Sequence, residues 1–403
     1  MKFTNNRFNF YTLFSFAAIT IYFWLYIVMY WFGVKGVIPF EIGVHRVIVN
    51  LLFVGISIIF FIESLRNNYC NRYNIVFSIF IAYISFIILS HHYLEQKLSD
   101  TNGVSVMKYT IYIVVQYVVC FFIGKFFFIP FSEGKRLFTL TGHIICTVIL
   151  IFFMSENGII IDVTDMEHGQ KGIYLFTSEY IAFFSFLLVA SADSRAKKVL
   201  TISICSLLIF CFISRSALFI FIFSTWVLYF DRYKYTSIAL MIFVAVLGYL
   251  NIEYLYDNYP RMFFFIDYVN DASFQGRELQ KDIGYESLLR NLFWGDYGGQ
   301  VKTLGYVGEY IHNIFSYWRQ FGIIGFLLIV FLVFIEPIRI LIRRRFCKGT
   351  FEYRIVFMMS IYVFLQVLFS RSFAWPFVFL YIGLISTYVS DKKYSINAMG
   401  KNI

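Results

Sequence analysis

The chain has 403 residues, of which 60% are hydrophobic, 22% aromatic and only 14% charged, and its mean hydropathy is +0.71. A soluble domain carries about 25% charged residues, so this chain has too few charges to coat a globular surface. Its apolar runs are long and continuous and do not alternate with period two, which favours spanning helices over a membrane barrel. The sequence therefore predicts an all-α, polytopic integral membrane protein whose partner is the lipid bilayer.

The net charge of +10 does not indicate a nucleic-acid partner. Lysines and arginines cluster in short segments between apolar runs, which is the pattern that membrane insertion selects. None of the six cysteines lies in a predicted outer loop, and no Cys-x-x-Cys or Cys/His pair occurs. We therefore expect neither a disulfide framework nor a zinc site.

Twelve spanning helices are predicted. The first run, 8–34, is free of charges and too long for the core of a signal peptide, so we expect it to remain as a membrane span. The other spans lie at about 47–61, 74–90, 109–128, 138–154, 173–190, 199–213, 217–230, 237–250, 321–335, 355–369 and 375–389. Residues 1–403 form one predicted membrane domain, which contains a single long polar segment at 251–320.

The charges of the loops predict the orientation. With the N-terminus in the cytoplasm, every basic turn lies inside, including the most basic one at 337–354, and the acidic loop 155–172 lies outside. The segment 251–320 also lies outside, and between Glu253 and Arg319 six Lys and Arg oppose nine Asp and Glu, a net charge of −3. We therefore expect both termini to be cytoplasmic.

Two predicted outer turns each place one arginine between serines, Arg215 and Arg371. The run 199–213 would form only about 22 Å of helix, against a hydrocarbon core of about 30 Å, so Arg215 is expected to dip below the outer interface. Such an arginine either faces a polar cavity or an anion, or snorkels from a helix end.

Glu179 interrupts the sixth predicted span about two turns from its outer end. Intramembrane carboxylates usually face the interior of the bundle. We expect an ion pair with an arginine such as Arg215, and we keep open a role as the base for an acceptor hydroxyl.

The long segment predicts one amphipathic helix lying on the membrane surface, beginning just after Gly276 and ending at Gly295. Its apolar positions are Leu279, Ile283, Leu288, Leu289 and Leu292. Arg277 would then lie in the first turn, where an anion could also use free backbone N–H groups. The alternative is a solvated helix whose arginine has no special role.

His312 precedes the tenth predicted span, and Asn313 beside it could cap or orient it. A lone interfacial histidine is more often a packing residue than a catalytic one, so both interpretations stay open. The Gly-rich WGDYGG stretch does not follow a strand, and we do not interpret it as a nucleotide-binding loop. No motif indicates a metal or a nucleotide cofactor.

Several of these features together resemble the O-antigen ligase and polymerase superfamily, and within it the Wzy-type polysaccharide polymerases. The matching features are Gly276-Arg277, then NLFWGDYGG, then His312-Asn313 with Ile-Phe leading to GIIGF, and Arg215 before the eighth span. Asp296 and Tyr297 stand where the family usually has glycine. The motifs cover about 110 residues of the chain.

The resemblance implies an enzyme that joins polyprenyl-pyrophosphate-linked oligosaccharides on the outer face of the bacterial cytoplasmic membrane, without a metal or another cofactor. It implies catalytic roles for Arg277, His312 and Arg215. It implies contacts with the pyrophosphate or the sugar for Arg371, Arg290, Asn313 and Glu179. Arginines aimed at the leaving pyrophosphate would stabilise its developing charge, and His312 or a carboxylate could accept the proton of the acceptor hydroxyl.

The resemblance leaves open the sugar, the linkage and whether a chain-length regulator binds. A ligase of the same superfamily is the first alternative, because the motifs do not separate the two activities. A flippase or transporter of lipid-linked sugars is the second. We favour it less, because the unusual charges lie toward the outer face and no internal repeat is visible.

Overall fold

A computed structural model describes residues 5–34, 36–38, 42–66, 71–94, 98–155, 159–163, 172–230, 234–235, 246, 249–253, 256, 272–308, 310–342 and 350–399. Within these ranges the chain is helical, with two isolated bridges and no strand. The helices are α1 (Asn5–Ile19), a π-helical segment (Thr20–Leu25), α2 (Tyr26–Val34), α3 (Ile42–Arg66), α4 (Arg72–Leu94), α5 (Val106–Phe127), α6 (Glu133–Phe152), α7 (Gly172–Ser191), α8 (Arg195–Cys211), α9 (Arg215–Tyr229), α10 (Ala272–Arg290), α11 (Gly299–Leu304), α12 (Phe315–Ile342), α13 (Phe351–Phe369) and α14 (Phe377–Met399).

Seven helices of the described part are long and apolar enough to cross a membrane. This confirms the predicted class of an all-α chain with membrane-spanning helices. Each predicted span other than the ninth overlaps one of these helices or a shorter one. The ninth, at 237–250, lies outside the described residues except for 246, 249 and 250, so the number of twelve spans remains a prediction.

The centre of the bundle holds α7 and the first half of α14, which are apolar and buried nearly all around. A helix that is apolar on every face belongs inside a larger assembly of helices. Two glycines let α5 and α14 approach closely. A β-carbon on Gly124 would lie 1.8 Å from the Leu380 carbonyl oxygen, and one on Gly383 would lie 2.0 Å from that of Phe121.

The peripheral helices expose apolar stripes. On α3 the exposed side chains include Val47, Leu51, Val54, Ile58 and Ile62, which recur at helical spacing. In water such a continuous apolar face would be unfavourable, and in a bilayer it contacts lipid tails.

Several loops and helix ends meet at one end of the bundle, the end that the charge pattern predicts to be the outer one. The Thr101 amide bonds the Gly305 carbonyl at 2.9 Å, and the Ile161 amide bonds the Cys211 carbonyl at 2.8 Å. The Ser316 hydroxyl accepts from the Phe373 amide at 2.7 Å. The polar segment and the two Ser-Arg-Ser turns therefore share this end.

The surface helix differs from its prediction. α10 spans Ala272–Arg290, so it begins earlier than expected and ends before the predicted stop. Its buried positions are Gly284 and Leu288, whereas Leu279 and Leu289 are exposed. The helix thus packs on α12 through a narrow face that includes a glycine. Of the predicted apolar stripe, Leu288 packs inside the protein, whereas Leu279 and Leu289 are exposed.

Candidate functional site

His312 lies at the centre of the candidate site, in the short segment that leads into α12. Its side chain is partly buried and lies near the guanidinium groups of Arg277 and Arg371 and the Ser370 carbonyl. Burial first, and then the two positive charges, lower the pKa of His312 from 6.5 to about 4. The imidazole is therefore neutral at physiological pH and lies within the electrostatic reach of two cations, one on α10 and one in the turn after α13.

Arg371 follows the end of α13 and is fixed by an ion pair inside the protein. Its Nη2 and Nε lie 2.5 Å and 2.9 Å from Glu179 Oε1. The side chain of Glu179 is 1% exposed and that of Arg371 is 11% exposed. A buried pair of this kind holds the guanidinium in one place, because separating the charges would leave each of them uncompensated.

Two further side chains on α13 complete the network around the carboxylate. The Tyr362 hydroxyl donates to Glu179 Oε2 at 2.6 Å, and Gln366 Nε2 donates to Oε1 at 3.2 Å. The sequence analysis did not single out Tyr362 or Gln366. A signal for them existed, because two polar side chains at spacing i, i+4 in an apolar run point to one face of a helix.

The predicted ion pair of Glu179 is thus present, but its partner is Arg371 and not Arg215. Both carboxylate oxygens accept hydrogen bonds from neighbouring side chains. This arrangement favours the ion-pair interpretation, since a base needs an oxygen that can reach the acceptor hydroxyl.

Arg277 is exposed and lies within the electrostatic surroundings of His312, as the resemblance implied. The prediction that Arg277 lies in the first turn of its helix was wrong. It is the sixth residue of α10 and not part of the first turn, so the first four N–H groups of the helix lie upstream of it. Any anion held by Arg277 must therefore be bound through its guanidinium.

Asn313 organises the start of α12, as expected of a capping residue. Its Oδ1 accepts from the Phe315 amide at 3.0 Å, and its Nδ2 donates to the Tyr285 hydroxyl of α10 at 3.3 Å. Asn313 therefore links the helix that carries Arg277 to the segment that carries His312.

Arg290 lies away from this group. It is the last residue of α10, about 20 Å along the helix axis from Arg277. Its side chain is 74% exposed, and its guanidinium pairs with Glu286 one turn earlier. A substrate-binding role for Arg290 at the His312 site is therefore disfavoured by its position.

Arg215 begins α9 directly after a strained turn. Ile213 has φ +58°, in the left-handed region that β-branched residues avoid. The Ser178 hydroxyl bonds the Phe212 carbonyl at 3.3 Å, so this turn contacts α7 one residue before Glu179. Arg215 is thus brought to the same end of α7 as the Glu179–Arg371 pair, two residues after a backbone conformation of the kind that often marks functional sites.

The Gly-rich turn, residues 291–298, is docked on a kink of α12. Gly322 has φ +67°, and a β-carbon on it would lie 2.0 Å from the Phe293 carbonyl oxygen. The Asp296 amide donates to the Arg319 carbonyl at 2.5 Å. Glycine is required here by close backbone contact, which explains the composition of the turn without a bound nucleotide.

Arg319 is a third residue whose importance was not predicted from the sequence. Its side chain is 1% exposed, its closest carboxylate oxygen is Asp296 Oδ2 at 3.9 Å, and none of its three guanidinium nitrogens has a hydrogen bond of good geometry. It lies beneath Gly284 of α10. A buried arginine so sparsely bonded is energetically costly, and it ties the Gly-rich turn, α10 and α12 into one unit.

The site therefore combines a neutral imidazole with cationic groups from separate helices. Such a set can bind an anion between its guanidinium groups and can accept a proton beside it. In the described ranges, no group of three His, Cys, Asp or Glu side chains is arranged to hold a metal ion.

Comparison with known proteins finds no family model that matches this chain and no match among curated proteins.

Proposed function

We propose that this protein is a Wzy-type polysaccharide polymerase that joins polyprenyl-pyrophosphate-linked oligosaccharide repeat units, in O-antigen, capsule or exopolysaccharide synthesis. It would do so on the outer face of the bacterial cytoplasmic membrane, with twelve spans, both termini in the cytoplasm and residues 251–320 outside. The observation that carries the proposal is that the charges of Arg277 and Arg371 both act on His312, at the end of the bundle that the charge pattern predicts to be outside.

In this reaction an acceptor hydroxyl attacks the anomeric carbon of the donor glycan. The bond between that carbon and the pyrophosphate oxygen breaks, and the lipid pyrophosphate leaves with the electron pair. Arg277 and Arg371 would stabilise the charge that develops on the pyrophosphate, and Arg215, directly after the turn before α9, would add a third positive charge. Glu179 holds Arg371 so that its charge is already positioned when the donor binds.

His312 would take the proton of the acceptor hydroxyl. Burial, and then the two guanidinium charges, keep the pKa of His312 too low for a strong base in the absence of an anion. A bound pyrophosphate would offset those charges and raise the pKa toward the range in which a histidine is an effective base. Donor binding would thereby activate the base, which couples proton transfer to the presence of the leaving group.

The test compares two arginines of the same helix. In a strain that depends on this protein, we expect Arg277→Ala to reduce the glycan to a single repeat unit at normal membrane levels of the protein. The matched control, Arg290→Ala, removes an exposed arginine about 20 Å away along α10 and should keep the full ladder.

The glycan profile distinguishes the alternatives. Full-length glycan that stays on the lipid carrier in Arg277→Ala would identify a ligase. An unchanged ladder at normal protein level would contradict the role of Arg277 and favour transport.

A further inference from the structure

A row of tyrosines runs along the first spanning helix. Tyr22, Tyr26 and Tyr30 recur every four residues, and the rings of Tyr26 and Tyr30 contact edge to face with centroids 5.4 Å apart. Residues this far apart share one helix face. The row begins inside the π-helical segment Thr20–Leu25, a conformation that is rare in helices and frequent at functional sites.

A second polar row lies on α5. Tyr109, Tyr112 and Gln116 are spaced three and four residues apart and therefore share a face of that helix. Tyr112 and Gln116 lie within hydrogen-bonding reach of each other. By contrast Tyr117, on the core side of the same helix, is fully buried and bonds the Phe373 carbonyl.

The first turn of α3 joins the two rows. The His45 ring lies against Tyr26 with centroids 4.5 Å apart, and its Nδ1 lies 3.4 Å from the Tyr112 hydroxyl. The guanidinium carbon of Arg46 lies over the Tyr112 ring, 5.3 Å from its centroid, and Arg46 is also within electrostatic reach of Tyr109. We call the group of side chains formed by Tyr26, Tyr109, Tyr112, Gln116 and Arg46 the tyrosine cleft.

The tyrosine cleft differs from an ordinary aromatic core because its side chains are partly exposed and carry polar atoms. Tyr26, Tyr109 and Tyr112 are partly exposed, and Arg46 is exposed. At its margin, His45 is 3% exposed, and its ring lies within hydrogen-bonding reach of the Ile21 backbone as well as of the Tyr112 hydroxyl. Partly exposed aromatic rings beside hydroxyl, amide and imidazole groups favour a ligand that carries hydroxyl groups.

The tyrosine cleft lies near His312 along the chain. Tyr310 packs beside Tyr109, is 4% exposed and lies within hydrogen-bonding reach of the Tyr109 side chain. It precedes His312 by two residues, a chain distance of about 7 Å. A ligand bound at Tyr109 would therefore lie close to His312.

We propose that the tyrosine cleft binds the terminal sugars of the acceptor glycan and presents a hydroxyl to His312. This inference rests on the proposed function. Aromatic faces combined with a few hydroxyl, amide and imidazole groups suit the apolar faces and the hydroxyl edges of a sugar ring. One exposed arginine would not neutralise a pyrophosphate, whereas the cations around His312 would, so the two sites divide acceptor and donor between them.

The test uses the full-length protein in nanodiscs. The probe is the repeat-unit oligosaccharide released from its carrier lipid by mild acid and labelled with a fluorophore at the reducing end. We expect Tyr112→Leu and Arg46→Gln each to weaken probe binding about tenfold, the loss of one or two good contacts. Arg46→Gln alters an exposed side chain and serves as the variant that keeps the fold.

Two variants serve as controls. Tyr93→Leu removes a tyrosine that is 84% exposed at the end of α4, and it should bind the probe like wild type. Arg277→Ala should also retain binding, because the probe lacks the pyrophosphate, although it makes no polymer.

The outcomes separate this inference from the proposed function. Two outcomes would contradict the acceptor cleft while the wild-type protein still polymerises. In the first, Tyr112→Leu and Arg46→Gln bind the probe as tightly as wild type; in the second, none of the three proteins binds the probe. The polymerase proposal stands in both cases. If binding depends on Tyr112 and Arg46 while Arg277→Ala leaves the glycan ladder unchanged, the cleft is a glycan site and the polymerase proposal fails.

Discussion

At the scale of single residues, the chemistry of the site depends on how charges are held near His312. Its low pKa means that the folded chain binds fewer protons than the unfolded chain between about pH 4 and pH 6.5. Because of His312, the free energy of unfolding is therefore highest above pH 6.5 and decreases as the pH falls from 6.5 to about 4.

Replacing Arg277 should change this titration. We expect Arg277→Gln to raise the pKa of His312 above 4, but not fully to 6.5, because burial is the larger cause of the shift. The measurement is a ¹³C-NMR titration of histidine-labelled protein in detergent, with the His312 signal assigned from His312→Gln. Arg290→Gln is the control and should leave the titration unchanged. An equal pKa in wild type and Arg277→Gln would show that the two side chains do not interact.

If Glu179 and Arg371 form a coupled pair, replacing only one of them should lower the free energy of unfolding more than replacing both. Glu179→Gln leaves a buried guanidinium without its carboxylate and should reduce the free energy of unfolding by about 3–5 kcal/mol. The double variant Glu179→Gln with Arg371→Gln should recover part of that loss, because no uncompensated charge remains. Both values can be measured by equilibrium unfolding in mixed micelles.

The surface pair Glu286–Arg290 is the control for this experiment. Both side chains are largely exposed, at 65% and 74%, so solvent screens their attraction. Glu286→Gln should change the free energy of unfolding by less than about 1 kcal/mol. Additive losses in the Glu179 and Arg371 single variants would contradict a coupled pair.

At the scale of elements, the position of Arg277 is set by the docking of α10 and the Gly-rich turn on α12. The contact depends on Gly322, where the backbone is left-handed and the Phe293 carbonyl leaves no room for a side chain. It also depends on Asn313, which bonds both the start of α12 and Tyr285 of α10. The site is therefore assembled by contacts between elements and not by one motif.

Two glycine variants test this arrangement. Gly322→Ala should destabilise the protein by about 2–3 kcal/mol, from the left-handed backbone and from the clash with the Phe293 carbonyl. Gly276→Ala is the matched control, because its helical backbone has open space within 4 Å and alanine should stabilise it by about 0.5–1 kcal/mol. Thermal unfolding in detergent measures both. Similar shifts in the two variants would mean that the turn is not docked on Gly322.

At the scale of the whole molecule, the orientation in the membrane decides whether the site can meet an extracytoplasmic substrate. Asn102 lies in the exposed loop before α5, and Asp193 lies in the exposed loop between α7 and α8. The charge pattern predicts that the first loop is outside and the second inside.

A pair of cysteine variants tests this orientation. In a background with Cys70→Ser and Cys347→Ser, the other four cysteines are buried. We expect Asn102→Cys to react with a membrane-impermeant maleimide on intact cells and Asp193→Cys to react only after the membrane is opened. The reverse pattern would place the His312 site in the cytoplasm and contradict the proposed function.

The sequence by itself determined the class of protein, the positions of nearly all described spanning helices and the turns that carry Arg215 and Arg371. These features follow from local hydropathy and charge, which are properties of short stretches of chain. Local sequence could not identify the partner of Glu179. Arg371 lies 192 residues away, and only the packing of α7 against α13 brings the two side chains together.

The tertiary structure also decided which of the predicted arginines belong together. Arg277 and Arg290 look alike in sequence, but the length and docking of α10 place one beside His312 and the other in solvent. The buried position of Arg319 and the tyrosine cleft likewise arise where several helices meet. Contacts between distant segments depend on how whole helices pack, and the spacing of residues within one helix does not contain that information.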